Sequence, residues 1–130
     1  MNDQPTAVEL LRTVERFLEE EVVTGLSGPA RFHARVAANV VAIVAREIET
    51  EDEHLAGEWA RLAALLEETA EPPTSREALR EAIRARTLRL VERIRAGEAD
   101  SGPFRAALLA HLRTTVDAKL VVSRPPRVHR

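Results

Sequence analysis

The sequence predicts an all-α fold: a single-domain bundle of about five helices with a buried central second helix. Three observations predict it. Ala, Leu, Arg and Glu, all strong helix formers, are conspicuously common in a chain that is 45% hydrophobic and 31% charged. Apolar residues recur at three- and four-residue steps, and no stretch alternates as a strand would. At 130 residues the chain has the length of one domain and can bury about two thirds of its unfolded surface around one core.

The first helix is expected over about 5–24. Pro5 suits a first turn, and Ala7, Leu11, Val14, Leu18 and Val22 share a face before Gly25. "GLSGP" then breaks the pattern, and Pro29 opens a second helix over about 29–50. A third places Leu55, Trp59, Leu62 and Leu66 on one stripe with Ala56, Ala60 and Ala63 beside it, and it ends in "EETAEPPTS", where consecutive prolines cannot continue a helix. Thr74 and Glu77 match a capping box for a fourth helix carrying Leu79, Ile83, Leu90 and Ile94 as far as Gly97. After "GEADSGP" a fifth carries Phe104, Leu108, Leu112, Val116 and Leu120. The bundle is thus expected over 1–122, and "SRPPRVHR", residues 123–130, reads as a flexible basic tail with almost nothing to bury.

The second helix raises the functional question. Phe32, Val36, Val40, Ile43, Val44 and Ile48 fall in one broad apolar sector, while Arg35, Asn39 and Arg46 form a polar stripe outside it. Ala38 and Ala45 make a small-residue flank, so this helix is expected to touch neighbours on most sides. His33 and Glu47 lie inside the apolar sector, and fourteen residues, about 21 Å of helix, separate them. A buried carboxylate would need a cation from elsewhere, and the fifth helix offers His111, Arg113 and Lys119. Two readings follow: these groups tie the second and fifth helices together, or they converge on a ligand cleft between them.

Other chemistries find little support. A carboxylate-bridged metal site in a bundle needs two Glu-x-x-His pairs, and only Glu51 with His54 qualifies, so neither a metal nor another cofactor is expected. "GLSGP" lacks the second glycine of a nucleophile elbow, which leaves Ser27 in a turn, and no phosphate-cradling glycine loop occurs. The fourth helix is rich in arginine, with Arg76, Arg80, Arg84, Arg86, Arg89, Arg93 and Arg95. Interleaved glutamates at pairing distance read as a solvated face of intrahelical pairs rather than a DNA-reading helix. The acidic run "EIETEDEH" reads as a solvated junction between helices.

A net charge of −2 gives no general attraction to nucleic acid or an anionic membrane. Without cysteine there is no disulfide, thiolate ligand or Cys nucleophile. The charged N-terminal stretch contains no apolar run of signal-peptide length, so the expected location is cytoplasmic.

"RFHARVAANVVAIVARE", "IRAGEAD" and "ALLAHLRTTVDAKL" resemble a bacterial family of small uncharacterised helical proteins, over about residues 7–122. Members of that family are often encoded beside aminoglycoside-phosphotransferase-like kinases and acyl-CoA dehydrogenases. The residues matching its polar pattern are Arg31, His33, Arg35, Asn39, Arg46, Glu47, His111, Arg113 and Lys119. No complete catalytic set emerges. The expected function is therefore a non-catalytic accessory or regulatory module for a kinase or acyl-CoA dehydrogenase of those kinds, able to self-associate. The alternative is a small enzyme or acyl-thioester- or anionic-ligand-binding protein, with Glu47 or His111 as acid or base in the cleft between the second and fifth helices.

Overall fold

Helix formation begins at Thr6, whose hydroxyl accepts the Glu9 amide at 3.2 Å while the Glu9 carboxylate accepts the Thr6 amide at 2.7 Å. In the computed structural model, which describes residues 3–124, this cap opens α1, Ala7–Phe17, with Pro5 just ahead of it. The helix passes through a π-helical turn, Leu18–Val22, and ends with Val23–Gly25. Helix α2 spans Gly28–Leu66. Helix α3, Arg76–Arg95, is capped by Ser75, which accepts the Ala78 amide at 3.1 Å, so the capping residue is one place later than the expected Thr74. Helix α4, Gly102–Ser123, has a proline in its first turn. The expected tail, 123–130, lies outside the described residues from 125 onward.

Among the described residues the fold is all-α, and the helix count is four rather than five. The expected second and third helices are one, because "EIETEDEH" holds neither Gly nor Pro and helix runs unbroken through it. Charge alone does not stop a helix; a backbone event does. Here that event is Glu67, at φ +54, after which the Glu68 amide donates back to the Ala63 carbonyl at 3.0 Å and the Glu67 amide to Ala64 at 3.4 Å. Helix α3 closes in the same way with Gly97 at φ +87.

The chain divides into two compact units, residues 1–50 and 51–130. In the first, α1 and the opening part of α2 face one another, tied by Arg12, which bridges Glu15 at 2.8 Å and Glu49 at 2.9 Å. The residues of α2 that lose their water here are Ala34, Ala38, Ala42 and Ala45. The expectation of a buried central second helix is therefore overturned. Its large side chains are on the outside: Phe32 is 64% exposed and Val40 52%, with Val36, Val44 and Ile48 also exposed. The small flank, Ala38 and Ala45, is the packed face, because short side chains let the helix axes come close.

The second unit holds the large aliphatic core. Leu62 and Leu65 of α2 meet Ile83 and Leu90 of α3 and Leu108 of α4, with Trp59 and Phe104 packed against them. Arg86 lies among them at 2% exposure. Its Cζ stacks 3.3 Å from the centre of the Trp59 ring, Nη1 donates to the Trp59 carbonyl at 3.1 Å, and Nε meets the Glu68 carboxylate at 2.9 Å. Leu62 is fully buried, so Leu62→Ala is expected to cost about 2–5 kcal/mol in urea denaturation, while Leu88→Ala, at an exposed position, stays within about 0.5 kcal/mol.

Candidate functional site

The last turns of α2 and the first half of α4 carry side chains that do not fill the space between them. A cavity of about 560 Å³ remains, lined by Ala64, Leu65, Phe104, Ala107 and Ala110, with Arg61, Glu67, Arg93, His111 and Thr114 as its polar members. Arg93 is committed to the framework: it donates to the Leu65 carbonyl at 3.0 Å, meets Glu98 at 2.7 Å and lies 4.3 Å from the Phe104 ring centre. Arg61 is different. Its Nε donates to His111 Nδ1 at 3.4 Å and Nη2 to the Thr115 hydroxyl at 3.3 Å, and no carboxylate lies within ion-pairing distance among the described residues.

That geometry favours the neutral form of His111. The imidazole is 7% exposed, and its pKa is lowered by burial first and by the Arg61 charge second, with Glu58 opposing. A neutral ring that accepts at Nδ1 carries its proton on Nε2. The cavity therefore combines aliphatic and aromatic walls with the Arg61 guanidinium, which has no ion pair among the described residues, the His111 imidazole and the Glu67 carboxylate.

The candidate residues are dispersed. Arg35, Asn39 and Arg46 come together in the first unit, in a groove of about 450 Å³ that they share with Glu15 and Glu19 of α1. His33 is exposed and edge-on to Phe32, with ring centroids 5.7 Å apart. Glu47 is exposed as well, so the expectation that it is buried and needs a cation is overturned. In the second unit His111 turns inward, while Arg113 and Lys119 are exposed.

Sequence reasoning missed Arg61 and Arg86, although Arg86 lies at helical spacing from both Ile83 and Leu90 and so on the core stripe of α3. It also misjudged the arginine row. Arg76 reaches Asp52 at 2.8 Å, Arg80 pairs with Glu51, and Arg89 meets Glu68 at 2.8 Å, so these arginines bind other segments rather than neighbours in their own helix. Among the described residues no group of three His, Asp or Glu side chains could hold a metal ion, and no helix is long and apolar enough to cross a membrane.

Fold and site together define an all-α domain whose second unit holds a largely apolar cavity between two helices, with Arg61, Glu67, Arg93 and His111 in its lining. The chain belongs to the domain-of-unknown-function family DUF6285, whose model matches residues 24–126 and so takes in α2, α3 and α4. No curated protein and no solved structure matches it.

Because the folded pKa of His111 lies below the ordinary 6.5, the unfolded chain takes up this proton first as pH falls. Its contribution to stability is fully present above about pH 6.5 and is lost as the pH drops through the folded value. Urea midpoints measured between about pH 8 and pH 5 should fall for the native chain and fall less for His111→Gln.

Proposed function

We propose that the chain is a non-catalytic helical module that assists or regulates a partner enzyme of acyl-CoA metabolism. The observation that carries this reading is one face of α4, on which Leu109, Leu112, Val116 and Leu120 are all exposed at three- and four-residue spacing. Contiguous apolar surface of this kind on a polar background marks a docking site for another protein. Arg105, Arg113 and Lys119 fall in or beside the same sector, and Asp117 falls outside it. An apolar stripe with basic margins fits an amphipathic helix with acidic margins, because burial supplies affinity and the charges set register and encounter rate. The enzyme class comes from the gene company of the similar bacterial proteins, acyl-CoA dehydrogenases and phosphotransferase-like kinases, which is association rather than mechanism.

The test is titration of the purified chain against an acyl-CoA dehydrogenase and a phosphotransferase-like kinase of the kinds encoded beside the similar proteins. One of them should bind with micromolar or better affinity, and Val116→Glu should abolish binding without changing the helical circular dichroism. Absence of binding to both at tens of micromolar overturns the reading.

The cavity favours a second reading, an anionic ligand with an apolar body such as a fatty acyl carboxylate or thioester. Arg61 would meet the anionic end, His111 Nε2–H would donate to an oxygen, and the acyl chain would lie along Leu65, Phe104 and Ala107. Of the two acid–base candidates, Glu47 and His111, only His111 lines this cavity. In calorimetric titration with medium-chain fatty acids, Arg61→Ala should weaken binding at least about tenfold, which is about 1.4 kcal/mol. Absent binding, or binding indifferent to Arg61, removes this reading.

A further inference from the structure

The outer face of α2 in the first unit is a further large apolar surface, and its two polar members, His33 and Glu47, are placed symmetrically on it. Phe32, Val36, Val40, Val44 and Ile48 are exposed and follow one another at four-residue steps. Val40 is the midpoint of this row. It is also the midpoint between His33 and Glu47, each seven residues away, or about 10.5 Å along the axis. Seven-residue steps drift only about 20° around a helix, so His33, Val40 and Glu47 lie on a line nearly parallel to the axis. Ala34, Ala38, Ala42 and Ala45 are buried on the opposite side, which leaves this line facing outward within the unit.

We infer that this face associates with the same face of a second copy, the two helices antiparallel and related by a twofold axis at Val40. An isologous contact places each residue against the one equally far beyond the axis. Val40 then meets the partner's Val40 and Val36 lies level with the partner's Val44, while Phe32 and Ile48, about 80° to either side of Val40, flank the contact. The same operation sets His33 against the partner's Glu47 at both ends.

On this face the histidine and the glutamate are solvated in a monomer and become a matched pair in the antiparallel dimer. A parallel pair would place His33 against His33 and Glu47 against Glu47, a like-charge contact at one end, so the two charges also select the direction. A heterologous helix would need a histidine and a glutamate of its own at the same separation, whereas the second copy supplies both by symmetry. This inference is independent of the docking face on α4: a chain that dimerises through Val40 but binds neither enzyme sinks only the earlier proposal.

The test uses the full chain, which has no native cysteine. Sedimentation velocity across the micromolar to hundred-micromolar range should show a reversible monomer–dimer equilibrium. Val40→Glu should weaken it at least about tenfold with unchanged helical circular dichroism. Under mild oxidation Val40→Cys should form a disulfide-linked dimer by itself. Val36→Cys should not, but should cross-link when mixed with Val44→Cys. His33→Glu should weaken the dimer, and His33→Glu combined with Glu47→His should restore it.

A chain that stays monomeric throughout that range overturns the inference. So does a dimer in which Val36→Cys links to itself as readily as Val40→Cys, because that is the parallel arrangement. A dimer insensitive to Val40→Glu overturns it too, since its contact must lie on another face.

Discussion

The decisive constraint in the first unit is that alanine, not valine or phenylalanine, occupies the inner face of α2. Ala34, Ala38, Ala42 and Ala45 each bury little apolar area, far less than the roughly 1.5–3 kcal/mol that a fully buried large aliphatic side chain contributes. What they provide is close approach: with no side chain beyond Cβ, the backbones of two helices can draw together and gain contact along their length. Once that face is turned inward, helical geometry leaves no choice about the rest. Val36, Val40 and Val44 lie outward. A unit that buries its smallest residues and exposes its largest presents water with a broad apolar stripe, whose solvation cost folding alone does not recover.

The second unit follows the opposite rule. Its interior is filled by leucine, isoleucine and tryptophan, and the largest polar residue within it, Arg86, is neutralised and stacked. Glu68 answers two arginines, Arg86 from α3's inner side and Arg89 from its outer side, so one carboxylate just past the end of α2 holds α3 against it. A guanidinium suits this position because it is flat enough to lie on the Trp59 ring while its edge still reaches a carbonyl and a carboxylate. The cavity beside this framework persists because Arg93 spends its donors on Leu65 and Glu98 and its flat face on Phe104, keeping the wall in place.

Much of this was legible in the sequence. Periodicity fixes helix identity, and Gly25, Pro72, Pro73 and Gly97 fall at or near true interruptions, because proline removes a helical donor and glycine admits backbone conformations that other residues resist. The break expected in "EIETEDEH" was not there, since acidic side chains perturb solvation but leave the backbone hydrogen bonds intact. The sector arithmetic for residues 29–50 was correct in angle and wrong in sign: it grouped Phe32 through Ile48 on one face, and hydrophobicity alone then assigned that face to the interior. Hydrophobicity ranks which face gains most from burial. It does not reveal whether the covering partner belongs to the same chain. Arg61 and His111 are fifty residues apart, and only a fold brings their nitrogens within 3.4 Å, whereas the place of Arg86 on the stripe of Ile83 and Leu90 could have been read directly.

The two anomalies of α2 and the inverted packing of its faces have a common cause. A histidine and a glutamate are tolerated among valines only where water or a complementary charge is available, and a deeply buried face would have excluded both. Outward placement removes the desolvation cost that Glu47 would otherwise carry and leaves it able to pair in an assembly. The same logic applies to α4, where Arg113 and Lys119 keep their charge in water beside exposed leucines. Polar residues within or beside an apolar stripe would act as filters in any association: they do little to strengthen contact with an arbitrary greasy surface, and they penalise a partner that leaves their charge unanswered.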